Sequence, residues 1–87
     1  MKAKKVVLRG VYNLNGQYLP FEHNPLHGKT YNNVEVSFSK KICGTGDHKY
    51  AVDVVNIEGC EPIECELVGH HTAEDGTLVI SICQDWG

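Results

Sequence analysis

Residues 34–39 read VEVSFS, and this stretch decides the fold class. Val34, Val36 and Phe38 alternate with Glu35, Ser37 and Ser39, which is the two-residue period of a strand with one face buried. The apolar trio is read as facing inward and the polar trio as facing water. Downstream, 48–57 (HKYAVDVVNI) is the longest strand candidate. Tyr50, Val52 and Val54 share a face with His48, and Asp53 sits opposite. Val55 and Ile57 break that one-face pattern and imply a bulge or burial on both faces. In 63–68 (IECELV), Ile63, Cys65 and Leu67 point inward, with Glu64 and Glu66 outward. In 77–83 (TLVISIC), Leu78, Ile80 and Ile82 share one face.

The same period recurs upstream. Residues 4–9 (KKVVLR) form a first strand with Val6 and Leu8 on one face and Lys5, Val7 and Arg9 on the other. Residues 10–16 (GVYNLNG) supply a second short strand or a hairpin. Asn15-Gly16 suits a type I′ turn, whose two central residues both need positive φ. Residues 17–19 can then run back toward Pro20. Residues 20–33 (PFEHNPLHGKTYNN) carry two prolines, a glycine and three asparagines, and are expected as one long loop. Glycines at 44 and 46, and the 58–62 segment, mark turns. Residues 70–76 (HHTAEDG) are expected as a connection, with one helical turn at most, capped by Thr72.

No segment holds a helical apolar period over ten residues or more. Five to six strands with turns at roughly the 8–12-residue spacing of small β domains predict an all-β single domain spanning 1–87. The expected architecture is a small antiparallel barrel or sandwich. At 87 residues, 41% hydrophobic and 22% charged, the composition is that of an ordinary globular domain rather than a disordered chain.

No apolar run approaches the ~18 residues of a membrane span, and Val6 to Leu8 is too short for a signal-peptide core. A reducing cytoplasm is therefore expected. There Cys43, Cys60, Cys65 and Cys83 are thiols or ligands rather than disulfides.

Charge is strongly segregated. The first 49 residues hold eight bases and three acids (+5), and the remainder holds no base and eight acids (−8), giving the net −3. Such a layout concerns partners and steering, not fold. On the strand reading, Glu64 and Glu66 face outward together, while Glu58, Glu61, Glu74 and Asp75 occupy flanking turns. These six are the expected contact set for a protein partner with a basic surface. The 23–31 loop is a second candidate surface. Small phage and mobile-element proteins that inhibit nucleases use acidic surfaces in this way, a likeness of device and not of sequence. Two other accounts use the same charges. The basic first strand can pair with IECELV inside the fold, through cross-strand ion pairs worth a few tenths of a kcal/mol. Alternatively, a homo-oligomer sets the positive part of one copy against the negative part of the next.

Other chemistry has thinner support. Cys60, Cys65 and His70 are spaced five apart, and with Cys43 they make a four-ligand set for Zn²⁺. The close Cys-x2-Cys pair of a zinc knuckle is absent, so no cofactor is expected. His23 and His27 would align on a helix, but Pro25 disfavours one there. Cys60 or Cys83 beside His70 or His71 supplies the types for a thiolate–imidazole pair without any nucleophile motif, and no enzyme is expected. Gly44-Thr45-Gly46 lacks a phosphate-loop lysine. Nucleic-acid binding would rest on Lys2, Lys4, Lys5 and Arg9 with Tyr12, Tyr18, Phe21 and Tyr31. The acidic half would repel phosphate, so nucleic acid is disfavoured.

Overall fold

The computed structural model describes residues 1–84; the closing Asp85-Trp86-Gly87 lies outside the described residues. The elements are β1 (Lys2–Leu14), β2 (Gln17–Pro20), β3 (Thr30–Cys43), β4 (Tyr50–Ile57), β5 (Ile63–Thr72) and β6 (Thr77–Cys83). The described residues contain no helix. Strands β1, β3, β4, β5 and β6 close into a five-stranded barrel, and β2 is an extra strand on β1. Closure is by a parallel pairing, Lys5↔Thr77 through Val11↔Cys83, where an antiparallel barrel was expected. The reason is arithmetic. Each consecutive barrel pair is antiparallel, so after an odd number of strands the last runs in the direction of the first.

Two strands change partner midway. β3 pairs with β1 over residues 30–35 and with β4 over 36–43. β5 pairs with β4 over 63–65 and with β6 beyond them. This shear turns the corners of the barrel. Two local devices keep apolar side chains inward along these long strands. Asn33 has φ 53°, a left-handed conformation that asparagine tolerates better than most residues. Tyr31 and Val34, on either side of it, therefore both pack against the core. In β5 a bulge between Leu67 and Gly69 shifts the register, so Leu67 opposes Ile82 and His70 opposes Ile80.

The core is built from Val6, Leu8, Val36, Val55, Ile57, Ile63, Cys65, Leu78, Ile80 and Ile82. The alternations read for 4–9, 34–39, 63–68 and 77–83 are therefore present. In β4, burial is two-sided: Val55 and Ile57 enter the core with Asp53 on their face, while Val52 and Val54 are covered on the outer face. The Asn15-Gly16 turn is also present, with φ of 52° and 86°, joining Leu14 to Gln17.

Several boundaries differ from expectation: residues 4–9 and 10–14 belong to one continuous strand, β1, and β4 starts at Tyr50 and not at His48. The long loop is shorter, because β2 runs to Pro20 and β3 starts at Thr30. The prolines and Gly28 lie before Thr30 and Tyr31, which are good strand formers. Residues 70–72 are strand and not a capped helical turn, since pairing with β6 satisfies their backbone. The reversal is confined to 73–76, where Ala73 N donates to Thr77 O. Residues 21–29 fold back onto the barrel. Gly28 N donates to Leu8 O, and Leu8 N to Lys29 O. Leu26 packs on the core, and buried Asn24 accepts from Leu26 N through Oδ1 at 2.9 Å.

Candidate functional site

The outer face of β3, β4 and β5 brings Glu61 and Glu64 next to the outward apolar residues of β4. β4 presents Tyr50, Val52, Val54 and Asn56 there. Across from them on β3 stand Cys43, Lys41, Ser39 and Ser37, and Glu64 of β5 opposes Val54. Lys41 Nζ lies 2.8 Å from Glu64 Oε1, although Lys41 pairs with Val52 and Glu64 with Val54. The ion pair therefore crosses β4 diagonally, above the two valines. Glu64 raises the Lys41 ammonium above its ordinary value, by hydrogen bonding and then by charge. Two hollows flank the bridge. One of about 230 Å³ is lined by Cys43, Tyr50, Val52 and Glu64. The other, about 530 Å³, is lined by Lys41, Val54, Asn56, Glu61, Pro62 and Glu64. Tyr50 is 59% exposed on this face.

The six acids of the expected contact set divide into two groups. Glu58, Glu61, Glu64 and Glu66 gather around the start of β5. Glu74 and Asp75 occupy the turn at its other end, and ten strand residues at ~3.3 Å each put them about 30 Å away. Asp75 is committed locally: its Oδ1 accepts from Thr77 N at 3.0 Å, which holds its carboxyl below the usual range. Glu58 accepts from Glu35 N and stands 3.9 Å from Lys2 Nζ. Glu66 accepts from the Tyr18 hydroxyl at 3.0 Å, and that bond raises the phenol above its ordinary value. Glu61 and Glu66 have no ion pair among the described residues.

Pairing between the basic and acidic halves does occur, but not mainly through the first strand. β1 lies between β3 and β6, away from β5. Lys2 meets Glu58, while Lys40 meets Asp53 at 3.2 Å and Lys41 meets Glu64, so β3 makes two of the three links. These partners are mostly well exposed, and such pairs contribute little each. Asp53 was not singled out from sequence. It lies where β4 and β5 part, and its Oδ2 accepts from Leu67 N at 2.9 Å. That hydrogen bond, then Lys40, holds its carboxyl below the ordinary range.

The proposed zinc ligands do not converge. Cys65 is fully buried in the core and opposes Asp53, whereas Cys43 lies on the outer parity opposite Tyr50. Cys60 is exposed in the turn after β4, and His70 stacks on Phe38 at 4.6 Å. Among the described residues no three His, Cys, Asp or Glu side chains are placed to hold a metal ion. The Cys65 thiol is pushed up to about 11, first by burial and then by Asp53. Cys83 is buried opposite Glu66, three positions along β6 from the residue that opposes His70. The fold thus forms no Cys83–His70 pair.

The 23–31 surface is also partly committed. His27 Nδ1 accepts from Gly10 N at 3.0 Å, so that nitrogen is engaged in fastening the loop. His23 packs edge-on against Phe21, which packs edge-on against Tyr12. A hollow of about 260 Å³ lies there, lined by Val11, Phe21, His23, Asn24, Pro25 and Gln84. Among the described residues its lining holds no carboxylate or lysine, so these residues offer apolar contact without a charged anchor. Lys2, Lys4, Lys5 and Arg9 are exposed along β1. Tyr18, which nucleic-acid binding would use for stacking, is instead tied to a carboxylate. No helix of the described residues is long and apolar enough to cross a membrane. No family model, no curated protein and no solved structure matches this chain.

Proposed function

We propose that this protein is a non-catalytic binding module that receives a basic segment of a partner protein on the outer face of β3, β4 and β5. The observation that carries the reading is the outer face of β4. Val52 and Val54, 8% and 7% exposed, lie there beneath the exposed Lys41–Glu64 ion pair, with Glu61 and Glu64 on the hollows beside them. Apolar area with a charged rim is the usual anatomy of a protein-binding surface. Carboxylates at the rim steer a cationic partner and set its register more than they add raw affinity. Glu58 extends the acidic edge, whereas Glu74 and Asp75 stand apart from it.

The test is calorimetric titration of the whole protein with a lysine- and arginine-rich peptide and with its glutamate counterpart, at low and moderate salt. Binding of the basic peptide alone is expected, weakening as salt rises. Changing Glu61 and Glu64 together to Gln should weaken it about two- to thirtyfold, the range for two exposed charge contacts of about 0.2–1 kcal/mol each. Equal affinity for the two peptides, or no effect of the double change, refutes the proposal.

A further inference from the structure

We infer that Lys41 is an internal stand-in for a partner's arginine, and that the trough it closes takes an extended segment of the form apolar-x-Arg-x-apolar. This rests on the binding reading above and names the partner's chemistry. Val52 and Val54 sit on the outer face, outside the barrel core, yet are only 8% and 7% exposed. The bridge from Lys41 to Glu64 passes above them and separates the two hollows, both of which touch Glu64. Moving Lys41 aside would join the hollows into one trough along β4, floored by Val52 and Val54, with Tyr50 and Cys43 at one end and Pro62 at the other.

The side chains of the bridge are 60% and 48% exposed, so the pair is weak and opens readily. An incoming guanidinium outcompetes the ammonium because its planar fork can hold both carboxylate oxygens, where lysine offers a point charge. Glu61 lies beside Glu64 on the same hollow and adds a second acid. The apolar spacing follows from strand geometry. Same-face residues of an extended segment are about 7 Å apart. With the arginine over Glu64, opposite Val54, the neighbour two positions to one side lies over Val52 in the hollow it shares with Tyr50, and the neighbour two positions to the other side lies toward Asn56 and Pro62. A second copy of this chain is a poor occupant. Its sole arginine, Arg9, is paired within the closed barrel opposite Ser81.

The experiment uses capped peptides with the core Leu-Ser-Arg-Ser-Leu, the same core with lysine for arginine, and the same core with serine for both leucines. Their dissociation constants are read from chemical-shift titrations of wild type, Lys41→Met and Glu64→Gln. Methionine keeps most of the alkyl stem and removes the charge. The arginine peptide should bind wild type more tightly than either analogue, with shifts centred on Val52 and Val54. Lys41→Met should tighten it about two- to fivefold, the range of an exposed ion pair released from competition. Glu64→Gln should weaken it. If basic peptides bind and Glu64→Gln weakens them, yet Lys41→Met gives no gain or the lysine analogue binds equally, this inference is overturned while the binding module stands. If no basic peptide binds wild type, both fall.

Discussion

Replacing Asp53 tests the account of how β4 and β5 part. Its side chain is 25% exposed, accepts from Leu67 N at 2.9 Å and lies 3.2 Å from Lys40. A backbone hydrogen bond to a carboxylate is worth about 1.5–3 kcal/mol, and partial exposure favours the low end. The well-exposed Lys40 adds about 0.2–1 kcal/mol. Asp53→Ala should therefore cost about 2 kcal/mol at pH 7, or about 10 °C in Tm for a domain of this size. Asp53→Asn keeps an acceptor for Leu67 and should cost about half of that, the loss being charge and not geometry. The sign with pH follows from the depressed carboxyl. A folded-state value below the ordinary 3.8 means the stabilisation is full above that value and disappears as pH falls through the lower folded one. Urea melts at pH 7 and near pH 2.5 should thus show the wild type and Asp53→Ala converging in acid. An Asp53→Ala deficit as large in acid as at pH 7 would show that the carboxylate charge is not what matters. Equal melts for Asn and Ala at pH 7 would show that Leu67 N does not depend on this acceptor.

Three further outcomes can be checked directly. Gly10→Ala places a Cβ 2.9 Å from Asn24 Cβ, so it should destabilise by about 1–3 kcal/mol, and combining it with Asn24→Gly should recover part of that loss in urea melts. Asn33 holds a left-handed backbone at φ 53°, so Asn33→Val should cost about 1–2 kcal/mol while Asn33→Gly is nearly neutral; equal costs would remove the kink from the argument. In native protein at pH 8, a thiol reagent followed by peptide mapping should label exposed Cys60 first. Cys65, buried and with its thiol pushed up to about 11, should react only on unfolding.

Individual segments differ in how much of this the sequence could disclose. Residues 77–83 were legible to the residue, because Leu78, Ile80 and Ile82 alternate cleanly and Gly76 ends the turn before them. Asn15-Gly16 was equally plain, since only a turn with two positive φ values favours that pair. Residues 50–57 were half legible. Apolar side chains on both faces announced two-sided burial, but not that Val55 and Ile57 would take the core and leave Val52 and Val54 outside. By local pattern position 33 reads as loop, because asparagines are poor in strands. A single left-handed residue inside β3 uses that same tolerance to keep both Tyr31 and Val34 on the core.

The acidic array shows where local pattern stops being informative. Alternation alone placed Glu64 and Glu66 outward, because a residue's face depends on its immediate neighbours. Whether Glu74 and Asp75 join them depends on the length of β5, which the bulge and the pairing with β6 extend to Thr72. Likewise, the links between the basic and acidic halves depend on strand order, which brings β3 and not β1 near Glu64. Composition and two-residue periodicity determine that this chain forms strands with one apolar face. The closing of five such strands, with its shear and its single parallel seam, determines which charges and valines become neighbours. Those contacts join residues far apart in the chain, and no local rule carries that information.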